Sequence, residues 1–225
     1  MSVVIFDLFG TIIEKDKYDY EKALSWLAYK YFDNRFDELK RLSVEFKENY
    51  LKKRKVENAE SSFLEQIELF ENTLDIKIHD NFQYVELEFI KIFRKEKLIN
   101  GVQELLDYLY STDYYKIYIL TNSIFSGDSL KSYLGIFKID QYIEKVYSSA
   151  DIGFRKPSKK AFTYVLEDVG NENLDDIYFI GDSLEKDFKG AQKCGITPIL
   201  YGATSNVNGL MFDDFNSILN FFKNT

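Results

Sequence analysis

The chain has 225 residues, 45% of them hydrophobic and 29% charged, with a formal net charge of -8. This length suits one large domain or a core carrying an inserted unit, and the apolar share is enough for a substantial core. The acidic balance speaks against a nucleic-acid or anionic-membrane surface, which needs basic patches, and no apolar run approaches the roughly 18 residues of a membrane span.

Val3 to Phe6, VVIF, is an apolar run that ends at Asp7 and is followed by Leu8, Phe9, Gly10 and Thr11. The pattern predicts a strand buried on both faces with a carboxylate at its carboxyl end, where open α/β sheets place their ligands. The charged stretch EKDK, Glu14 to Lys17, closes this first strand–turn unit. From Tyr18 to about Leu98 the periodicity turns helical: Leu24, Leu27, Ala28 and Tyr31, then Leu39, Leu42 and Phe46, then Phe63, Leu64, Ile67 and Phe70, then Val85, Phe89, Ile92 and Phe93. These stripes predict four or so amphipathic helices in a stretch free of Pro and Gly. They interrupt an α/β pattern, so residues 16–98 are expected to form an inserted helical cap, with residues 1–15 and 99–225 as the α/β core.

From Gly101 strands and helices alternate. Helix is expected over Val102–Tyr110, strand over Lys116–Leu120, helix around Ser129–Leu134 and a short strand near Lys145–Ser149. A loop with Lys156-Pro157 follows, then a helix over Lys159–Val169 capped by Gly170. Strand Ile177–Ile180 ends in Gly181-Asp182. Helix Leu184–Cys194, a last strand Pro198–Tyr201 and a last helix Asp214–Phe222 complete the chain. The alternation implies parallel βαβ units and a doubly wound, Rossmann-type sheet. In such a sheet Asp7, Thr121-Asn122, Lys156 and Asp182-Ser183 all fall on one edge and converge on one crevice.

Four segments in order, VVIFDLFGT, ILTN, GFRKPS and IGDSLEKDFKGA, resemble the four motifs of the haloacid dehalogenase superfamily of hydrolases, over Val3 to about Tyr201 apart from the cap. The resemblance implies that Asp7 is the nucleophile, that Thr121 and Asn122 bind the transferring group and that Lys156 neutralises it. It also implies that Asp7, Asp182 and the backbone carbonyl of Phe9 hold Mg²⁺, with Asp187 as a further ligand or a partner of metal-bound water. These residue types suit phosphoryl transfer. A carboxylate can attack phosphorus, and Mg²⁺ takes oxygen ligands and offsets anionic charge.

The family's first motif has a second acid two residues after the nucleophile, which protonates the leaving group; here that position is Phe9. Losing such an acid costs about 10²–10⁴-fold. Three readings follow. One is a Mg²⁺-dependent hydrolase of a small phosphorylated molecule that needs no acid there, or draws one from Asp16, Lys17 or His79. Another is a 2-haloacid dehalogenase, whose relatives carry an aromatic residue at this position and need no metal. The third is a binding or regulatory protein on the same scaffold. His79 and the run Lys52 to Lys55 are otherwise expected at the surface, and Trp26 in the core. The single Cys194 excludes an internal disulfide and fits a reducing compartment. With no signal-type segment at the start, a cytoplasmic protein is expected, its oligomeric state open and a monomer compatible with it.

Overall fold

The computed structural model describes residues 1–15, 18–170, 173–202 and 208–225. Six parallel strands, β1 Ser2–Phe6, β2 Tyr115–Thr121, β3 Lys145–Ser148, β4 Ile177–Gly181, β5 Thr197–Tyr201 and β6 Leu210–Phe212, form one sheet in the order β3-β2-β1-β4-β5-β6. β1 is central. It pairs with β2 in the register Val4↔Ile117 and with β4 in the register Val4↔Tyr178. The chain thus runs outward from β1 in one direction to β3 and in the other to β6. The β1–β4 junction is the switch point at which such sheets open a crevice.

β1 is uninterrupted in its apolar character because both of its faces are covered. Val4 and Phe6 join a core cluster with Ile117 and Ile119 of β2, while Val3 and Ile5 join a second cluster with Phe179 and Phe162 on the opposite face. This alternation follows from the two-residue period of a strand. β6 is a strand that the sequence does not announce: three half-buried residues, LMF, at the sheet edge, too short for a pattern to emerge.

Between β1 and β2 lie α1 Tyr20–Tyr31, α2 Phe36–Glu57, α3 Phe63–Leu74, α4 Phe82–Phe93 and α5 Val102–Ser111. Side chains cap the starts of three of them. Asp19 accepts from the Lys22 amide at 3.1 Å, Ser62 from Glu65 at 3.1 Å and Asn81 from Tyr84 at 3.2 Å, which satisfies donors left open at a helix N-terminus. α2 and α3 stop at Asn58 and Asp75, both in the left-handed conformation. The stripes face inward as their periods require: Leu24, Leu27, Leu39, Phe63, Phe70, Val85 and Phe89 are buried, while Leu64 is exposed and Trp26 is half-buried. Lys52, Lys53 and Lys55 are solvent-facing in the last turns of α2, and His79 is exposed between α3 and α4.

The entry and exit of these helices run side by side. The Glu14 amide donates to the Lys97 carbonyl at 3.0 Å and the Ile99 amide to the Ile12 carbonyl at 3.0 Å. A second seam joins the helices to the sheet. Ala59, after α2, bridges Phe154; the Glu60 amide donates to Gly153 at 2.9 Å and the Arg155 amide to Asn58 at 2.8 Å.

The remaining helices are α6 Gly127–Leu134, α7 Ser149–Ile152, α8 Lys159–Val169, α9 Lys189–Gln192 and α10 Phe215–Lys223. The stretch expected as one helix over 184–194 begins instead as a π-helical turn, Leu184–Phe188, and becomes α-helical only at Lys189. Such turns are frequent at functional sites, and this one places Asp187. Among the described residues no helix is long and apolar enough to cross a membrane.

Candidate active site

The backbone turns sharply after β1. The Asp7 amide donates to the Ile180 carbonyl at 2.8 Å, and the amides of Ile12 and Ile13 both fold back onto the Leu8 carbonyl. Gly10 sits at φ +98°, and a Cβ there would come within 2.6 Å of Asp182 Oδ2 and of the Lys15 side chain. Only glycine meets both demands. At the tip of β4, a Cβ on Gly181 would meet Asp187 Cβ at 2.5 Å, so that glycine is what lets Asp187 close on the strand end.

These turns bring three acids and one lysine together. Lys156 Nζ donates to Asp7 Oδ1 at 2.7 Å and lies 2.7 Å from Asp187 Oδ1, with its side chain 1% exposed. Thr11 Oγ1 donates to Asp7 Oδ2 at 3.3 Å. Asp187 Oδ2 accepts from the Ser183 amide at 2.9 Å. Burial pushes the Asp7 carboxyl up from 3.8 to about 6, against the opposing pull of Lys156. Burial works against the Lys156 ammonium as well, but Asp187 and Asp7 more than offset it, so its pKa is raised. Carboxylate oxygens of Asp7, Asp182 and Asp187 all lie within 4.8 Å of one another. Three acids against one buried lysine leave an excess of oxygen donors, which is the donor chemistry of a hard divalent cation. Asp182 in turn bonds the half-exposed Lys15, a cation that stands beside the acids from the solvent side.

Thr121 is buried at the end of β2. The Asn122 amide group makes a reciprocal pair with the Lys156 backbone: its Nδ2 donates to the Lys156 carbonyl at 2.9 Å and its Oδ1 accepts the Lys156 amide at 2.8 Å. The side chain of Asn122 thereby fixes the loop that carries the lysine. The Lys156-Pro157 peptide is cis. Asp7, Phe9, Thr121, Asn122, Lys156, Asp182 and Asp187 line one cavity of about 160 Å³. Of the candidate proton donors, His79 is not in the described lining, and Asp16 and Lys17 lie outside the described residues.

The same cavity has lining residues that the motifs did not mark, among them Lys15, Tyr18, Arg94 and Arg155. Arg94 follows α4. Its guanidinium lies over the Phe9 ring, 3.5 Å from the centroid, and also faces Tyr18 at 4.6 Å. Glu96, whose side chain is fully buried, bonds Arg94 Nη1 and accepts from the Tyr133 hydroxyl at 2.8 Å. Burial and then the Glu96 carboxylate raise the Tyr133 pKa, which keeps it a donor. Arg155 is held by Glu60 and donates to the Tyr50 hydroxyl at 2.7 Å, and Glu60 also accepts from Ser149 Oγ at 2.5 Å. In the sequence FRKEK reads as an ordinary charged helix end. The signal that could have found Arg94 is topological: an inserted segment must leave where it enters, so its last residues lie beside the Phe9 turn.

A family model described as "Haloacid dehalogenase-like hydrolase" matches residues 4–201. Two relatives match by sequence over shorter stretches. YfnB of Bacillus subtilis (strain 168), named as a HAD-hydrolase, is 33% identical over 102 residues, covering 44% of this chain and 41% of its own. The pyrimidine 5'-nucleotidase YjjG of Escherichia coli (strain K12) is 31% identical over 81 residues, covering 36% and 35%. The matched segments thus span less than half the length of either relative. The fold is shared more widely: a 2-haloacid dehalogenase from Pseudomonas syringae pv. Tomato DC3000 superposes with a TM-score of 0.65 at 15% identity over 100% of this chain and 99% of its own. A HAD phosphatase from Thermococcus onnurineus gives 0.60 at 19% identity over 99% and 98%. With the family match spanning nearly the whole chain and the sheet ordered around the Asp7 strand, this protein belongs to the haloacid dehalogenase-like hydrolases.

Proposed function

We propose that the protein is a Mg²⁺-dependent hydrolase of a small phosphorylated molecule, with Asp7 as nucleophile and the four helices α1–α4 as a cap over the site. The observation that carries this reading is the convergence of Asp7, Asp182 and Asp187 around Lys156, with carboxylate oxygens within 4.8 Å of one another. Displacement of a halide has no use for that surplus of acids, whereas a phosphate needs a counter-cation beside a carboxylate nucleophile. Asp7, Asp182 and Asp187 would hold Mg²⁺, with the Phe9 carbonyl as a further ligand; the ion supplies charge neutralisation to the phosphoryl oxygens. It is a phosphatase-type activity.

In this reading an Asp7 carboxylate oxygen attacks phosphorus, the bond to the leaving oxygen breaks with its electron pair, and an aspartyl phosphate forms. Water then attacks the phosphorus and restores Asp7, its proton passing to a phosphate oxygen. Lys156 holds Asp7 in place and offsets the charge of the attacking pair, and Thr121 and Asn122 line the phosphoryl end of the cavity. Phe9 offers no proton, so the substrate is one whose leaving group departs without one.

The test is phosphate release from p-nitrophenyl phosphate and acetyl phosphate with Mg²⁺ and with EDTA. Release only with Mg²⁺ is expected, and Asp7→Asn should lower it on the order of 10⁴-fold or more. The second reading, dehalogenation, has the aromatic Phe9 in its favour; metal-independent halide release from 2-haloacids, with no phosphate release, would replace the first reading by it.

A further inference from the structure

The phosphoryl-transfer reading leaves one task without an owner: something must meet the charge that develops on the leaving oxygen. Arg94 is the cation placed for it. Its guanidinium lies over Phe9, 3.5 Å from the ring centroid, and Phe9 is two residues from the nucleophile. Its side chain is 7% exposed and faces the cavity that Asp7 lines. Nη1 is taken by Glu96, which Tyr133 fixes from behind. Nε is buried and has no hydrogen-bond partner among the described residues. A buried donor without a partner is costly, and here it belongs to a group already oriented by stacking and by an ion pair. A guanidinium so held, and lining the cavity, is a preorganised partner for an anionic oxygen.

We propose that Arg94, laid on Phe9, receives the leaving group of the substrate and stabilises it as a departing oxyanion. When Asp7 attacks, the electron pair of the breaking P–O bond stays on the leaving oxygen. Hydrogen bonds from Arg94 meet that charge, and the anion takes its proton from bulk water after release. Phe9 then has a physical role. A carboxylate in its place would pair with Arg94 and consume the donors; a ring offers the guanidinium a face and no competing charge. The substrates selected are phosphates with leaving groups stable as oxyanions, namely aryl, enol or acyl phosphates, over alkyl and sugar phosphates.

The experiment compares dinitrophenyl, p-nitrophenyl and phenyl phosphate with Mg²⁺ in the wild-type protein, in Arg94→Lys, and in Arg94→Met/Glu96→Gln, which removes the buried cation and the buried anion together. Thermal melts establish that each protein is folded. In the double variant kcat/KM should fall about 10²-fold with phenyl phosphate and less than about tenfold with dinitrophenyl phosphate, so that its dependence on the leaving group steepens. Arg94→Lys should lie between, and decides the matter if the double variant does not fold. Competitive inhibition by p-nitrophenolate should weaken about tenfold in both variants. Equal losses on all three esters, or none, in folded protein overturn the assignment of Arg94 and leave the hydrolase reading intact. No release from any ester by the wild-type protein overturns the hydrolase reading itself, and this assignment with it.

Discussion

Two charged assemblies meet at one small cavity, and they are built in opposite ways. At the tips of β1 and β4, Asp7 and Asp187 share the buried ammonium of Lys156 while Asp182 stands beside them. There acids outnumber the buried cation. At the end of α4, one carboxylate, Glu96, holds one guanidinium, whose Nε has no hydrogen-bond partner among the described residues. There donors outnumber acceptors. The first assembly calls for a cation and the second for an anion. The difference teaches that the two halves of a bond-breaking site can be recognised from hydrogen-bond bookkeeping alone: oxygen atoms in surplus on one side, N–H groups in surplus on the other.

The harshest way to break this contrast is to remove the cation from the acid-rich side. Lys156→Met leaves Asp7 and Asp187 buried without their shared partner, and is expected to lower unfolding free energy by about 3–5 kcal/mol near neutral pH. Urea titrations would show it, with the loss shrinking in acid as Asp7 protonates. A second test uses pH. Burial raises the Asp7 carboxyl from 3.8 to about 6, so the folded state favours its neutral form. That contribution is complete below 3.8, the unfolded value, and is lost as pH rises through about 6, a change on the order of 3 kcal/mol. Metal-free wild-type protein should therefore lose stability relative to Asp7→Asn across this window; parallel curves for the two proteins would count against the burial of Asp7.

The donor-rich side is probed by giving it an acid. Phe9→Asp places a carboxyl against Arg94, which would hold it ionised. The single variant is thus expected to gain less than about tenfold in hydrolysis of alkyl phosphates. Phe9→Asp/Arg94→Met should gain more, toward the 10²–10⁴-fold that a general acid supplies. Equal rates in the two variants would mean that Arg94 does not govern the protonation of position 9. The smallest effect concerns Lys15, which is half exposed and bonds Asp182 from the solvent side. Lys15→Met should tighten Mg²⁺ binding a few-fold by calorimetry, because an exposed pair is worth only about 1 kcal/mol or less.

What was legible in the sequence follows from where the signals are regular. The buried run before Asp7, the helix stripes of residues 18–98 and the alternation after Gly101 all rest on long periods, and those elements are in the structure. β6 carries only three residues and gave no period to find. The π-helical turn at Leu184–Phe188 has the composition of a helix start; the close approach of Asp187 to Gly181 shapes it, and that contact is tertiary. Asp7, Thr121, Lys156 and Asp182 could be gathered on one edge because a parallel sheet aligns its strand ends. Arg94 could not be, because its place depends on how four helices return to the sheet. Lys15 was hidden for a similar reason: its partner Asp182 is 167 positions away.

The tie between the α2–α3 junction and the Lys156 loop also bears on how a substrate gets in. Glu60 holds Arg155, Ala59 bridges Phe154, and Arg155 is bonded through to Tyr50; Lys156 is the next residue along. To lift the helices away on that flank, the molecule would have to break a buried ion pair, at a cost of about 3–5 kcal/mol, and drag the lysine off its nucleophile in the same motion. Tyr18 and Lys15, which also line the cavity, are about half exposed. Whatever strains the Glu60 seam therefore strains the alignment of Lys156 on Asp7 as well.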